Sequence, residues 1–379
     1  MSINSPLTLP DVPSHPNKTK CTVHLSRYFC SFLVSLLRVM NMSFTKQDIE
    51  TIESTLSPFN DNNELAIAKI AHGHVDFYGA KKQNGTVVPA INQNSVFEIG
   101  SITKVFTSYL LCDMILRGDV QIDDAINSAI PVPFKNGATI TYKALASHTS
   151  GLPRLPPGLI WSALFKNPQD PYKEYQEPQL LNYLENKLKL SAKIKHVYSN
   201  LGAGLLGYTL SRVAETSYED LLQRALFEPL KMTRSTTNLT ALKPWLVQGL
   251  DGKGRPVSNW DLGILSGAGA VLSTVEDLSA FALSCFDPSN SVFQFQKQPV
   301  FKDANASHAL GWVVLNLKEK GEHFYFHNGG TGGYSSCMLL DTQNQVGFVA
   351  LSNITGMSKF KEPAMDKLVF DLMEDTISQ

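Results

Sequence analysis

Residues 97–115, FEIGSITKVFTSYLLCDMI, begin in the manner of a strand and continue as a helix, with Ser101 and Lys104 at the junction. Side chains three apart share a helix face, so a helix starting near Gly100 makes this hydroxyl and this amine neighbours. Val105, Phe106, Tyr109, Leu110, Leu111, Met114, Ile115 and Leu116 are apolar nearly all round, which predicts a buried helix and a buried Lys104. An ammonium in an apolar wall is costly unless it is paired or gives up its proton, and an uncharged lysine is a base. A serine at a helix N-terminus also sits where backbone N–H groups favour developing negative charge. The chemistry this suits is a serine nucleophile activated by a lysine. The same four positions also describe a capping serine and a lysine that reaches out to water, so other residues must decide.

Two further stretches bear on the choice. HVYSNLGAGLLGYTL offers Tyr198-Ser199-Asn200 on a loop entering a helix, with Tyr198 and Asn200 pointing the same way if the loop is extended. FHNGGTGGYSS offers His327-Asn328-Gly329 at a strand end, then Gly330, Gly332 and Gly333. So many glycines weaken a strand, and the usual reason is that something approaches its backbone closely. Taken singly, Tyr198 reads equally as an aromatic plug, Asn200 as a helix cap and His327 as part of a tight turn.

Together, in this order, S-x-x-K, Y-x-N and H-x-G resemble the motif set of the serine β-lactamase and penicillin-binding protein superfamily. The likeness is to its class C β-lactamase, D-peptidase and family VIII esterase-like branch, because the second element is Y-x-N. It runs from about residue 44 to the end and includes LASHTSGLP (145–153) and GAVLSTVEDL (269–278). The resemblance implies that Ser101 becomes acylated, Lys104 activates it, and Tyr198 serves as general base or proton relay, its phenolate stabilised by Lys104. It implies that Asn200 orients the substrate amide and Lys104, and that His327 and Gly329 contribute to substrate binding. The backbone N–H groups of Ser101 and Gly330 would form the oxyanion hole, each worth about 3 kcal/mol. His327 replaces the lysine of K-T-G, which weakens attraction for a substrate carboxylate. No E-x-x-L-N is present, so a deacylating water would rely on Tyr198 and Lys104, and efficient β-lactamase activity is not expected. The G-x-S-x-G elbow of lipases is absent.

The elements that must position these residues follow from pattern. SFTKQDIETIESTLSPF has helical spacing, and ELAIAKIAHGHVDFYGAKK reads as two strands joined at His72-Gly73-His74. His72 and His74 have no third ligand in view, so no metal centre is assigned to them. Between residues 149 and 171, proline, glycine and serine mark a surface loop. SYEDLLQRALFEPL starts at a capping Ser217, and STVEDLSAFALSCF carries the box Ser273-x-x-Glu276. The strands ALGWVVLNL, HFYFHNGG, YSSCMLLD and VGFVALSN follow, then a closing helix in KEPAMDKLVFDLM. The predicted fold class is α+β, β-lactamase/transpeptidase-like. One antiparallel sheet is made from N- and C-terminal strands flanked by helices, and a mostly helical subdomain is inserted. Residues 43–379 form the hydrolase domain, with 43–100 and 301–379 its α/β part and 101–300 its helical part. The 149–197 loop and the segment 233–265 are expected to wall the pocket.

The chain has 379 residues, 43% hydrophobic and 18% charged, enough for a sizeable core. A net charge of −1 gives no basic footprint for nucleic acid or an anionic membrane. Five widely spaced cysteines without C-x-x-C argue against a disulfide framework or a zinc site, and Cys112 reads as core. Residues 1–42 read as a polar, proline-rich extension. Within it the apolar run YFCSFLVSLL is shorter than the ~20 residues a membrane span needs, so it resembles a weak export signal. Localisation stays open between the cytoplasm and, if that signal acts, the periplasm or exterior. The expected activity is a serine hydrolase forming an acyl-enzyme on esters, D-amino-acid peptides or amides, or β-lactams, with no cofactor and a small-molecule or peptide substrate. A catalytically silent penicillin-binding or scaffold protein is the alternative. Oligomeric state does not follow from the sequence.

Overall fold

In this computed structural model the described residues are 43–191, 195–304, 306–317, 322–356 and 363–378. The N-terminal extension therefore lies outside the described residues. Helix α1 (Lys46–Leu56) begins at Thr45, whose hydroxyl accepts the Asp48 N–H while the Asp48 carboxylate accepts that of Thr45. Two of the orphan donors of a helix start are met this way. Strands β1 (Glu64–Ala71) and β2 (His74–Gln83) form the expected hairpin, with Ala71 opposite His74. Its two turn residues, His72 and Gly73, have φ of 48° and 85°, the left-handed pair that matches the twist of the flanking strands. Strand β3 (Thr86–Pro89) adds to the edge of β2.

The next strand, β4 (Phe97–Glu98), leads through a 3-10 turn (Gly100–Ile102) into α2 (Thr103–Arg117), which ends at Gly118 with φ 85°. Almost every residue of α2 up to Met114 is buried, Lys104 included, and Phe106 packs edge-on against Phe281 with ring centroids 4.9 Å apart. The proline-rich stretch predicted as loop contains a short helix, α3 (Leu159–Phe165). Helix α4 (Asn200–Val213) packs against the turn Gly263–Ala268, where Gly207 and Gly267 approach so closely that an added Cβ on Gly207 would lie 3.0 Å from the Gly267 Cα.

Strand β5 (Leu272–Ser273) pairs with β4, Phe97 opposite Ser273. It brings GAVLSTVEDL alongside the segment that leads to Ser101. Helix α5 (Val275–Phe286) is capped by Thr274, which accepts the Asp277 N–H at 3.0 Å, and not by Ser273. Ser273 is taken up by the β4 pairing and by the Ser235 hydroxyl at 2.8 Å. The remaining strands are β6 (Phe301–Lys302), β7 (Ser307–His308), β8 (Val313–Leu317), β9 (Glu322–Gly330), β10 (Ser335–Asp341) and β11 (Val346–Ser352), and α6 (Ala364–Ile377) closes the chain.

The nine-stranded sheet has the order β3-β2-β1-β11-β10-β9-β8-β7-β6. The N- and C-terminal strands meet where β1 lies antiparallel to β11, Leu65 opposite Ser352. Strands β10 and β11 are buried at every position, so both sheet faces are covered. Helix α5 packs on β1 and β11, while α6 packs on β10, β11 and α1. This is the α+β architecture the pattern predicts, with the helical region between α2 and α5 inserted into the sheet-forming ends.

Candidate active site

Ser101 lies in the 3-10 turn rather than in the α-helix proper. A 3-10 turn has about 3.0 residues per turn, so positions three apart are nearly eclipsed. Lys104 Nζ accordingly stands 2.8 Å from Ser101 Oγ and donates to the Ala268 carbonyl at 2.6 Å. Its residue is only 2% exposed, and no carboxylate pairs with it among the described residues. Burial, followed by the nearby charge of Arg154, holds Lys104 well below its ordinary pKa. An uncharged amine here can donate to Ala268 and still keep a lone pair for the proton of Ser101.

Tyr198 reaches the same point from the loop before α4. Lys104 Nζ is 4.9 Å from the centre of its ring, and Arg154 Cζ 5.2 Å. Burial pushes the Tyr198 phenol above its ordinary pKa, with Ser101 and then Arg154 pulling the other way. Desolvation outweighs the charges near it, which favours the phenol over the phenolate in the resting site. The loop is fixed by Ser199, which caps α4, donates to the Pro153 carbonyl at 2.7 Å and gives its own N–H to His148 Nδ1 at 3.2 Å. The cap of α4 is thus Ser199, which leaves Asn200 as its first residue. Asn200 Nδ2 donates to the Tyr172 hydroxyl at 2.9 Å, not to Lys104. Its Oδ1 is buried with no partner among the described residues, an acceptor available to a substrate N–H.

Strand β9 closes the third side. A Cβ added to Gly329 would sit 2.1 Å from the Ile99 carbonyl and 2.9 Å from the Ser101 nitrogen. One on Gly100 would lie 2.8 Å from the Gly330 nitrogen. Two backbones meet here, which is why the strand end is rich in glycine. His327 is 5% exposed, lies behind the cleft wall, and has its ring 6.4 Å from that of Tyr198. Burial and then Lys104 lower its pKa to about 3, while its Nδ1, 2.7 Å from the Asn328 carbonyl, acts in the opposite direction. His327 is a neutral ring in the wall; its neighbour Asn328 faces the cleft.

A cleft of about 1220 Å³ opens over these groups, lined by Ser101, Arg154, Tyr172, Tyr198, Asn200, Trp260, Asn328 and Gly330 among others. Its walls include residues 154–172 and 251–260, inside the two segments expected from the sequence. Three contributors went unnoticed at the level of sequence. Arg154 is exposed and lines the cleft. His148, from LASHTSGLP, packs its ring 4.6 Å from Tyr198 and is kept neutral chiefly by burial. Glu98, buried three residues before the nucleophile, accepts Asn259 Nδ2 at 2.7 Å and the Trp260 N–H at 3.0 Å, tying β4 to the cleft wall. His72 and His74 are exposed at the β1–β2 turn and join no third ligand-type group among the described residues. Elsewhere His308 Nε2 lies 2.8 Å from the Asp303 carboxylate, and its ring stacks 3.6 Å from that of His196.

The chain is similar to known proteins. D-alanyl-D-alanine-carboxypeptidase/endopeptidase AmpH of Escherichia coli K12 is 26% identical over 75% of this chain and 77% of its own length. Protein flp of Staphylococcus aureus is 28% identical over 68% of this chain, which spans 53% of that protein. A class C β-lactamase structure from Rhodobacter sphaeroides superposes with a TM-score of 0.73 at 18% identity, over 88% of this chain and all of that one. A β-lactamase/D-alanine carboxypeptidase from Pseudomonas syringae gives 0.71 at 20% identity, over 88% and 98%. These likenesses agree on the fold. The Beta-lactamase family pattern matches residues 52–369, well over half of the chain. The chain belongs to the Beta-lactamase family, a family of serine hydrolases.

Proposed function

We propose that this protein hydrolyses esters and D-amino-acid peptides or amides through an acyl-enzyme on Ser101, with β-lactams turned over slowly. The observation that carries the reading is the desolvated Lys104 amine 2.8 Å from the Ser101 hydroxyl, with no carboxylate among the described residues to hold its proton. The opposed directions at Lys104 and Tyr198 support a division of roles between them. Lys104, held low, takes the Ser101 proton as Oγ attacks the carbonyl carbon. Tyr198, held high, passes a proton to the leaving oxygen or nitrogen and is refilled from Lys104. The Ser101 and Gly330 N–H groups stabilise the oxyanion, and Asn200 Oδ1 accepts a substrate amide N–H. Water then enters along the leaving group's path, and the same pair runs in reverse to release the acid.

The name of the AmpH relative supports the D-peptide part of this reading. The neutral, buried His327 argues against tight binding of a penicillin carboxylate at the third motif, and Arg154, 5.2 Å from the Tyr198 ring, is a cation of the cleft that could take that part. The test is a panel of p-nitrophenyl acetate, a D-Ala-D-Ala peptide and a chromogenic cephalosporin. The account expects turnover of the first two, cephalosporin slowest, and a loss of roughly 10²–10⁴-fold in kcat/KM for Lys104→Ala. Wild type indistinguishable from buffer on all three would favour a silent binding protein.

A further inference from the structure

Helix α3 exposes side chains that a surface helix normally hides. Ile160, Trp161, Leu164 and Phe165 are 64%, 55%, 65% and 70% exposed. Ile160 and Leu164 stand one turn apart, as do Trp161 and Phe165, whose rings lie 5.7 Å apart. Apolar residues scattered singly on a surface need no explanation, whereas a contiguous set marks something that binds.

The patch is continuous with the catalytic cleft. Ile160, Leu164, Arg154 and Leu155 line both that cleft and an adjoining groove of about 650 Å³ whose other walls include Trp161 and Phe165. An apolar path therefore leaves the nucleophile's cleft past Leu155, crosses Ile160 and Leu164 and ends on the two rings. We infer that this shelf receives an extended apolar chain carried on the acyl group of the substrate, so that the preferred substrates are acyl compounds with medium-length hydrocarbon chains. The inference rests on the acyl-transfer reading above. The occupant follows from the continuity: a chain tethered to the carbonyl at Ser101 meets the shelf at high effective concentration. A separate partner seated on α3 would have to share the cleft's rim with substrate.

The test is a series of p-nitrophenyl acetate, butyrate and octanoate, kept below micelle-forming concentrations, with the full chain. The shelf predicts that kcat/KM for octanoate exceeds that for acetate by about tenfold or more, since each methylene leaves water only in part. In Ile160→Ser/Leu164→Ser, both sites being largely exposed, circular dichroism stays native and the octanoate-to-acetate ratio falls towards one. Trp161→Ser provides a second, milder variant that lowers the same ratio. A wild-type ratio at or below one, or a ratio unmoved by both variants, overturns the inference while leaving acetate turnover and the acyl-transfer reading intact. Sedimentation with phosphatidylcholine vesicles together with a flat chain-length profile would reassign the patch to membrane contact and likewise overturn it. Failure to hydrolyse every ester would remove the acyl-transfer reading beneath it.

Discussion

Lys104 and Tyr198 are two residues whose environments push them apart. Burial lowers one and raises the other, a separation that suits the base and acid roles proposed for two groups of similar ordinary pKa. The same burial governs the histidines behind them. His327 rests at about 3 against an ordinary 6.5, so the unfolded chain binds the proton first as pH falls. Its contribution to stability is full above about pH 6.5 and is lost as pH drops towards 3, at up to ~1.4 kcal/mol per pH unit. His148 has the same sign, with Lys104, His196, His327 and His308 all disfavouring its charge. Urea midpoints measured at pH 7.5, 6 and 5 should therefore fall with pH in wild type and fall less steeply in His327→Gln. Equal slopes in the two proteins would mean that His327 is not held neutral. At this scale Ser101, Lys104, Tyr198 and Asn200 were legible because their types and order carry chemistry. His148 and Arg154 were not, since their roles exist only through contacts with Tyr198 some fifty residues away along the chain.

The elements were legible in proportion to their length. Helix α2 and strands β9 to β11 announce themselves by long apolar or strand-forming runs, while β4 to β7 have two residues each and leave no pattern to read. The 3-10 turn at Ser101 escaped for the same reason, yet its tighter winding is what eclipses Ser101 and Lys104. Propensity also misplaced the α5 cap by one residue, because β4 claims Ser273. The glycines of β9 were read correctly as a site of close backbone approach, and the distances give the approach a cost. In Gly329→Ala the new Cβ meets the Ile99 carbonyl and the Ser101 nitrogen, both backbone atoms that cannot step aside without moving the nucleophile. The variant should lose about 1–3 kcal/mol of stability, and its kcat/KM should drop by more than its melting temperature explains. A melting curve and ester kinetics both matching wild type would contradict the packing of β9 on the Ser101 turn.

Across the whole molecule the sheet is what makes the site possible. Pairing of β1 with β11 brings the two ends of the sequence together, and β9, three strands from β1, then presents its glycine end to the turn that starts α2. The inserted helical region supplies the opposite wall through Tyr198 and Asn200. Hairpin-like runs of strand-forming residues at both chain ends made the single sheet readable, whereas the shape of the cleft, set by loops from 154–172 and 251–260, had no sequence signature beyond its prolines and glycines. Ser101 is proposed as the acylated nucleophile, activated by Lys104. That role is tested most directly by incubating the protein with a fluorophosphonate or a fluorescent penicillin and weighing the intact chain. The account predicts one adduct per chain in wild type, none in Ser101→Ala, and far slower labelling in Lys104→Ala; an unmodified wild type, or an adduct that persists in Ser101→Ala, would contradict it.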